Sequence, residues 1–308
     1  MRVVFAGTPE IAVPSLTAIA EHGGWEIPLV LSQPDRPAGR GRKLSPSPVR
    51  QAAEALGLTV ATPEKPKELR ERLTELAPDA IAVVAYGHIF RRWLLELPPH
   101  GCVNLHFSLL PRHRGVAPVQ WSILEGDVES GVSVIRMDRG VDTGPVFRQS
   151  ATPIGEQETS GELLQRLARI GAGELVRTLE QLEDGSARPA EQPDDGATYA
   201  RRLEKEDGRI DWSRSAVEIH RQVRGLSPWP GAFTTWRGTR LKLHRVECRA
   251  DRLPAGAVRR VDGVLLCGTG EGSVELKVVQ PQGKPAMEGD AWALGARLTD
   301  PEILGATA

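Results

Sequence analysis

The amino-acid sequence predicts an α/β fold, with a Rossmann-like, mostly parallel sheet followed by a smaller β-barrel domain. Val, Ile and Ala runs alternate with helical patterns through the first half of the chain, which is typical of strands covered on both faces by crossover helices. The second half carries short strands separated by turn residues, a pattern that favours a small barrel. A chain of 308 residues is long enough for two domains.

Local patterns predict each element of the first half. Strands are predicted at RVVFAG, EIPLVLSQ, LTVAT, DAIAVVAYG and VNLHFSLLP, and two more over GVSVIRMDRGVDTGPVFRQSATPI. Helices are predicted at EIAVPSLTAIAEHG, PVRQAAEALG and PKELRERLTELA, with a long helix from Ser160 to Leu182. Open α/β sheets bind ligands at the carboxyl ends of their strands. VVAYGH and VNLHFSLLP, where apolar runs meet polar residues, therefore mark the candidate site.

A loss of apolar periodicity predicts the domain boundary. Residues 188–205 gain Pro, Gly and charge, which is typical of an interdomain linker. The expected division is a catalytic domain over residues 1–187, this linker, and a C-terminal domain over residues 206–308. The last is expected to open with a helix at SAVEIHRQVRGL and to continue with strands at AFTTW, LKLHRVE, GAVRRV, GVLLCG and SVELKVVQ.

Bulk composition excludes several classes of protein. A hydrophobic content of 40% is too high for a disordered chain, and a formal net charge of −1 argues against a wholly basic binding protein. Three widely spaced cysteines without a C-x-x-C pair predict reduced thiols and no metal site. No signal sequence and no bilayer-length apolar run is evident, so we expect a cytoplasmic protein with no membrane partner.

The first strand ends in FAGTPE, where a dinucleotide-binding fold carries G-x-G-x-x-G. The second and third glycines are missing, and Pro9 has no amide to donate to a diphosphate. This segment therefore favours a tight turn into a helix over NAD binding.

Two polar side chains interrupt the apolar strand in GCVNLHFSLLPRHRG. Asn104 and His106 are two residues apart, so they point to the same face of the strand. They could form a hydrogen bond with each other inside a core, or act on a ligand together with Asp138 or Asp142 of MDRGVDTG. A carboxylate orients a histidine and favours its protonated form, and an asparagine amide can donate to an oxyanion. Such a set suits acyl or formyl transfer by direct attack of an amine, because no nucleophilic Ser or Cys is evident.

Basic residues cluster in two stretches of the chain. Residues 221–260 hold ten Lys and Arg side chains against two acidic ones, and the loop DRPAGRGRK forms the other stretch. Charge runs are ordinarily solvated surface, but a positive barrel beside a neutral domain is also suited to binding nucleic-acid phosphates. The cations of the loop are Arg36, Arg40, Arg42 and Lys43.

Taken together, the motifs resemble those of the methionyl-tRNA formyltransferases nearly from end to end. The resemblance rests on FAGTPE, QPDRPAGRGRKLSPSPV, VVAYG, NLHFSLLPRHRG, MDRGVDTGPV, ARPAEQP through RIDWSRSA, and GLSPWPGAF. Asn-x-His-x-Ser-Leu-Leu-Pro with a downstream Asp-Thr-Gly is also similar to the formyltransferases of glycinamide ribonucleotide and amino sugars and to formyltetrahydrofolate hydrolase. The basic loop and the basic C-terminal domain favour the tRNA enzymes. Phe107 stands where many relatives carry a small residue, and it is expected to have a packing role.

This resemblance implies a monomeric enzyme that moves the formyl group of its co-substrate, 10-formyltetrahydrofolate, to the α-amino group of methionine on initiator tRNA without a metal. His106 would be the general base, Asp142 would hold its ring, and Asn104 would stabilise the oxyanion. The loop over residues 34–45 would wedge into the tRNA acceptor end, with Arg40 foremost. The C-terminal domain would be an OB-like β-barrel that contacts tRNA from the other side. The implied folate-lining residues are Ser108, Leu109, Leu110 and Pro111, and the implied tRNA contacts are Arg36, Arg40, Arg42 and Lys43.

Two other functions are compatible with parts of the pattern. A formyltransferase acting on a nucleotide-linked amino sugar would use the same three catalytic residues but would need no basic loop. A non-catalytic RNA-binding relative would keep the basic surfaces without needing His106. The presence of Asn104, His106 and Asp142 together argues against the second alternative.

Overall fold

The computed structural model of the chain describes residues 1–38, 43–298 and 302–305. Its residues group into two compact units, and the chain passes between them more than once. The break between Ala200 and Arg201 lies within the stretch predicted as a linker, and the predicted domain boundaries themselves stay a prediction. The first unit comprises Met1–Pro118, Glu129–Pro153 and Leu164–Ala200, and the second comprises Val119–Val128, Ile154–Leu163 and Arg201–Ala308.

A mostly parallel sheet forms the centre of the first unit. Its seven strands lie in the order β10-β9-β7-β6-β1-β2-β5, and only the pairs that involve β9 are antiparallel. Two small ladders, β3 with β4 and β8 with β11, lie outside this sheet. The strands are β1 (Val3–Gly7), β2 (Val30–Leu31), β3 (Arg36–Ala38), β4 (Lys43–Ser45), β5 (Val60–Ala61), β6 (Ala80–Val84), β7 (Cys102–His106), β8 (Arg114–Gly115), β9 (Glu129–Arg136), β10 (Val146–Pro153) and β11 (Tyr199–Ala200).

Helices occupy the segments between these strands. Every residue of β1 and β6 is buried, as expected for apolar strands that are covered on both faces. The helices up to residue 183 are α1 (Val13–Glu21), α2 (Pro48–Ala55), α3 (Arg70–Leu76), α4 (Arg92–Leu95), α5 (Pro118–Glu125) and α6 (Ser160–Glu183), with 3₁₀ turns at Glu10–Ala12 and Pro66–Leu69. Among residues 1–38, 43–298 and 302–305, no helix combines the length and apolar character that crossing a membrane requires.

The predicted Rossmann-like sheet is confirmed, but some elements differ from expectation. EIPLVLSQ and LTVAT pair over two residues each, as β2 and β5; β5 is the last strand at this end of the sheet, and β2 lies between it and β1. The basic loop is flanked by a short antiparallel ladder in which Arg36 pairs with Ser45. This pairing was not predicted, because Pro, Gly and charge in the loop hide it.

The second unit is built around an antiparallel, barrel-like sheet, as predicted. Its strands follow the order β12-β13-β16-β15-β14-β18, with β17 paired to β16. Leu241, Leu265, Val274 and Trp292 are among the residues of its apolar core. The elements are a 3₁₀ turn at Lys205–Gly208, α7 (Ala216–Gly225), α8 (Gly289–Ala296), β12 (Ala232–Trp236), β13 (Thr239–Arg249), β14 (Ala257–Val261), β15 (Val264–Gly268), β16 (Ser273–Pro281), β17 (Met287–Glu288) and β18 (Glu302–Ile303).

A capping box fixes the start of α7. The Ser215 hydroxyl accepts the Glu218 N–H at 3.3 Å, and the Glu218 carboxylate accepts the Ser215 N–H at 2.9 Å. The Glu218 carboxylate accepts hydrogen bonds from the Ser215 N–H, the Arg214 guanidinium and the Ser215 hydroxyl, and these lower the pKa of Glu218 from its ordinary 4.5 to about 2. Because the folded pKa is depressed, the stabilisation by ionised Glu218 is present above about pH 4.5 and is lost as the pH falls toward 2.

Replacing Ser215 with alanine is expected to lower the free energy of unfolding of the second unit by about 1 kcal/mol. The loss follows from leaving the Glu218 N–H of the first helical turn without its side-chain acceptor. Denaturant unfolding followed by circular dichroism at pH 7 measures it. Ser215→Thr, which keeps a hydroxyl, is the control, and equal stability of Ser215→Ala and wild type would contradict this role of the cap.

Candidate active site

Strand β7 carries the two polar residues that the sequence singled out. Asn104 lies opposite Ile135 and His106 opposite Ser133 on the neighbouring β9, so both side chains leave the same face of the strand. Asn104 is half-buried, and His106 is only 6% exposed. The strand is held on its other side by β6 in parallel register. Rigid pairing on both sides therefore fixes where these side chains project.

Asp142 joins the two β7 side chains. Its Oδ1 accepts a long hydrogen bond from the Asn104 amide at 3.4 Å, and its Oδ2 lies 3.6 Å from His106 Nδ1. The same Oδ2 accepts the Gly115 N–H at 2.9 Å. The structure thus brings Asn104, His106 and Asp142 into one cluster, in which the Asp142 carboxylate contacts both other side chains.

The loop that carries Asp142 reaches this cluster by folding back. Because β9 is antiparallel to β7, its last residue, Arg136, lies opposite Val103, at the end of β7 away from His106. The following residues therefore return toward Asn104 and His106. Asp138, the other carboxylate of the motif, binds the Thr143 hydroxyl at 2.8 Å and the Gly140 N–H at 2.9 Å instead. Asp138 shapes the loop, whereas Asp142 faces the histidine.

Hydrogen bonding assigns the tautomer of His106. Its Nε2 lies 2.9 Å from the His113 carbonyl oxygen, and a carbonyl can only accept, so Nε2 carries a proton. The nitrogen that gains or loses a proton is consequently Nδ1, which faces Asp142. A histidine that donates with one nitrogen and presents the other beside a carboxylate has the arrangement of a general base.

The turn after β7 is tightly fixed. The Ser108 hydroxyl donates to the Arg112 carbonyl at 2.7 Å. Ser133 receives the Leu110 N–H at 3.0 Å and donates to the Ser108 carbonyl at 2.6 Å. Ser108 and Leu110 are buried, while Leu109 and Pro111 are half-buried. The polar groups of this turn are thus used internally, and its contribution to a ligand site would be a preformed wall. A role of these four residues in folate binding stays a prediction.

Two of the four predicted tRNA-contacting cations belong to the β3–β4 ladder. Arg36 is exposed in β3, and Lys43 is the first residue of β4. Arg40 and Arg42 lie outside the described residues. The structure therefore gives positions for the two ends of the basic loop, and the tRNA contacts of these residues stay a prediction.

Several residues around the cluster were not singled out from the sequence. A segment over residues 190–200, within the stretch predicted as a linker, binds the backbone around the site: Thr198 Oγ1 accepts the His113 N–H at 2.8 Å, and Gln192 donates to the Asp142 carbonyl at 2.8 Å. Strand β11 pairs with β8, which contains Gly115. No local pattern marks these contacts, because each joins residues far apart in sequence.

The fold and site define a formyltransferase. A family model described as formyl transferase matches residues 1–179, and its C-terminal domain model matches residues 202–297. Solved structures with a similar fold include a sugar 3N-formyl transferase in the presence of dTDP and 5-N-formyl-THF, with a TM-score of 0.68 and 19% identity over 92% of this chain and 99% of that chain. Another is an N-formyltransferase from Helicobacter canadensis with folinic acid and dTDP-3-aminofucose, with a TM-score of 0.69 and 21% identity over 91% and 98% of the two chains.

Curated relatives narrow this class. A methionyl-tRNA formyltransferase of Streptomyces avermitilis is 48% identical over 99% of this chain and 100% of its own length. One of Jannaschia sp. is 46% identical over the same shares. The chain belongs to the methionyl-tRNA formyltransferase family.

Proposed function

We propose that this chain transfers the formyl group of 10-formyltetrahydrofolate to the α-amino group of methionine on initiator tRNA. The observation that carries the proposal is the Asn104–Asp142–His106 cluster in a chain that aligns over its full length with enzymes of that name. The products would be formylmethionyl-tRNA and tetrahydrofolate.

His106 is assigned the role of general base through Nδ1. The amine nitrogen attacks the formyl carbon and loses a proton to Nδ1, which lies 3.6 Å from Asp142 Oδ2. The imidazolium so formed is stabilised by that carboxylate, while the Nε2–H bond to the His113 carbonyl keeps the ring in place. When the bond between the formyl carbon and N10 of the folate breaks, the proton passes to N10. A single histidine thereby serves both proton transfers.

Asn104 is assigned the role of oxyanion donor. An amide group carries two N–H donors, so Asn104 can keep one directed at Asp142 and offer the second to the oxygen of the tetrahedral intermediate. Its position on a strand paired on both sides preorganises this donor. Preorganised donors stabilise developing charge without reorganising during the reaction.

The immediate surroundings suit a flat, partly apolar co-substrate such as a folate. Val116 and Val141 directly follow and precede Gly115 and Asp142, and they are 66% and 61% exposed. Exposed apolar side chains beside a polar cluster favour a ligand with an aromatic ring system. Ser108 to Pro111 would form the fixed wall of the same site.

The second unit and the β3–β4 ladder are assigned to tRNA. Four of the arginines in residues 221–260 form ion pairs with carboxylates of the barrel unit, as Arg237–Glu302, Arg245–Glu247, Arg249–Glu275 and Arg260–Asp290. Such pairing reduces the positive charge that these side chains offer to phosphates. Lys242 on β13 is exposed and is the better candidate for a phosphate contact.

Arg40→Ala is expected to raise KM for charged initiator tRNA at least about tenfold, while KM for 10-formyltetrahydrofolate stays near its wild-type value. A cation in the basic loop would act on the phosphates and the opened acceptor end, where charge pairing supplies binding free energy. Steady-state kinetics with each substrate varied in turn measures both constants. Equal increases in the two KM values would contradict a role confined to tRNA. Lys67→Ala, at an exposed cation of the 3₁₀ turn Pro66–Leu69, is the control.

The proposed acceptor is tested by offering 10-formyltetrahydrofolate with either methionyl-initiator tRNA or a dTDP-linked amino sugar. The proposal expects formylation of the tRNA and at most a trace with the sugar. Formylation of the sugar alone would assign the chain to amino-sugar chemistry. RNA binding with no transfer to either acceptor would instead favour a non-catalytic relative.

A further inference from the structure

We propose that Gln192 is a positioning residue for the catalytic cluster. It acts by holding the Asp142 loop (residues 137–145, between β9 and β10) next to β8, the strand that directly follows the His113 carbonyl bonded to His106. This inference rests on the proposed roles of His106 and Asp142. Gln192 comes from the Pro-, Gly- and charge-rich stretch that the sequence predicts to be a linker.

The side-chain amide of Gln192 makes four hydrogen bonds to two segments of the site. Its Nε2 donates to the carbonyl oxygens of Asp142 and Gly144, each at 2.8 Å. Its Oε1 accepts from Arg114 Nε at 3.0 Å and Arg114 Nη2 at 2.7 Å. An amide offers two donors and an acceptor oxygen with two lone pairs, so these four bonds saturate it. Gln192 therefore links the Asp142 loop to strand β8.

The Asp142 backbone needs such support. Its φ of 54° lies in the left-handed region, which a non-glycine residue occupies only when its surroundings hold it there. Gln192 binds the carbonyl oxygen of this residue, and the Gly115 N–H binds its carboxylate. Two residues further on, a Cβ at Gly144 would overlap the Arg136 carbonyl oxygen. The loop thus packs closely against β9, with Gln192 bonded to both Asp142 and Gly144.

Through Arg114, Gln192 is also connected to the segment that binds His106. Arg114 lies between His113, whose carbonyl receives the His106 Nε2–H, and Gly115, whose N–H binds Asp142. Main-chain bonds anchor the same strand, since the Arg114 N–H donates to the Thr198 carbonyl and the Val116 N–H to the Ala200 carbonyl. Gln192 is consequently bonded to both segments that determine the 3.6 Å separation of His106 Nδ1 and Asp142 Oδ2.

A positioning role differs measurably from simple stabilisation of a loop. A stabilising residue changes the fraction of folded protein and leaves the folded molecules with the wild-type turnover rate. A positioning residue changes kcat in fully folded protein, because displacement of a catalytic group by about 1 Å can reduce the rate about 10²-fold. Substrate KM values should stay near wild type, since Gln192 binds neither substrate in this assignment.

The test compares Gln192→Met, which keeps the side-chain length without the four hydrogen bonds, with Glu191→Ala, a change at an exposed neighbour. Thermal unfolding and circular dichroism establish that each variant is folded. We expect Gln192→Met to lower kcat for formyl transfer about 10²-fold with both KM values nearly unchanged, and Glu191→Ala to match wild type. Wild-type kcat in folded Gln192→Met would overturn the inference.

Arg114→Met supplies a second variant that removes the partner of Gln192 Oε1. Because both residues act through one connection, the double variant should lose no more kcat than Gln192→Met alone. Multiplicative losses in the double variant would contradict a shared role. Should Gln192→Met fold poorly, Arg114→Met alone should lower kcat in folded protein, and a wild-type kcat in this variant would overturn the inference.

A readout independent of turnover separates this inference from the proposed function. The ring ¹⁵N signals of His106, assigned by their absence in His106→Ala, should move in Gln192→Met and stay in place in Glu191→Ala. Unmoved His106 signals would reject the positioning role even if the enzyme is active. Wild-type protein that transfers no formyl group would reject the proposed function, while the ring signals would still report whether Gln192 positions His106.

Discussion

Replacement of His106 by alanine is expected to lower kcat for formyl transfer by about 10² to 10⁴, the range typical of losing a general base. His106 is 6% exposed and presents Nδ1 to Asp142 while Nε2 donates to a carbonyl. Pre-steady-state transfer of labelled formyl from 10-formyltetrahydrofolate to methionyl-initiator tRNA measures the loss.

Two controls test whether the loss of kcat arises in the chemical step. Folate affinity of His106→Ala, measured by equilibrium binding, should remain near wild type, because the proposed base acts on the amine. His244→Ala removes an exposed histidine of the barrel unit and should leave kcat unchanged. Full activity of His106→Ala would show that the cluster is structural, which is the alternative that the isolated strand pattern leaves open.

Replacement of Asn104 by leucine is expected to lower kcat by about 10² to 10³, the loss typical of one oxyanion donor. Leucine keeps a similar volume and removes the amide that lies 3.4 Å from Asp142. Since the donor acts mainly on the intermediate, KM for either substrate should change little. Steady-state kinetics with both substrates measures the separation of kcat from KM.

Selective labelling of Asn104 provides a test of its contact with the formyl group that does not depend on turnover. Asn104 is the only asparagine in the chain, so selective ¹⁵N labelling of asparagine side chains reports on this amide alone. Its N–H signals should shift on addition of a folate whose formyl group occupies the site. A kcat loss in Asn104→Leu that is matched by an equal rise in KM would contradict selective binding of the intermediate.

Period-two alternation and proximity to polar motifs were enough to single out β7 as the strand that carries the candidate catalytic residues. Asn104 and His106 had to share a face of β7, and burial of β1 and β6 follows directly from their apolar composition. Asp142 was one of the two candidate carboxylates, but the sequence does not show why its loop approaches β7. No local pattern indicates that β9 is antiparallel to β7, and this direction makes the loop that carries Asp142 fold back onto the site.

Contacts between distant segments account for what the sequence did not predict. The tautomer of His106 depends on the His113 carbonyl, and the support of Asp142 depends on Gln192, which is 50 residues away in sequence. A stretch rich in Pro, Gly and charge has the composition of a linker, yet this one binds both sides of the cluster. The β3–β4 ladder was missed for the same compositional reason.

The measurement that tests the central claim most directly is formyl transfer from 10-formyltetrahydrofolate by the wild-type chain to methionine-charged initiator tRNA and methionine-charged elongator tRNA in parallel. The account predicts efficient formylation of the initiator and little of the elongator. Absence of transfer to the initiator, in protein shown to be folded, would contradict it.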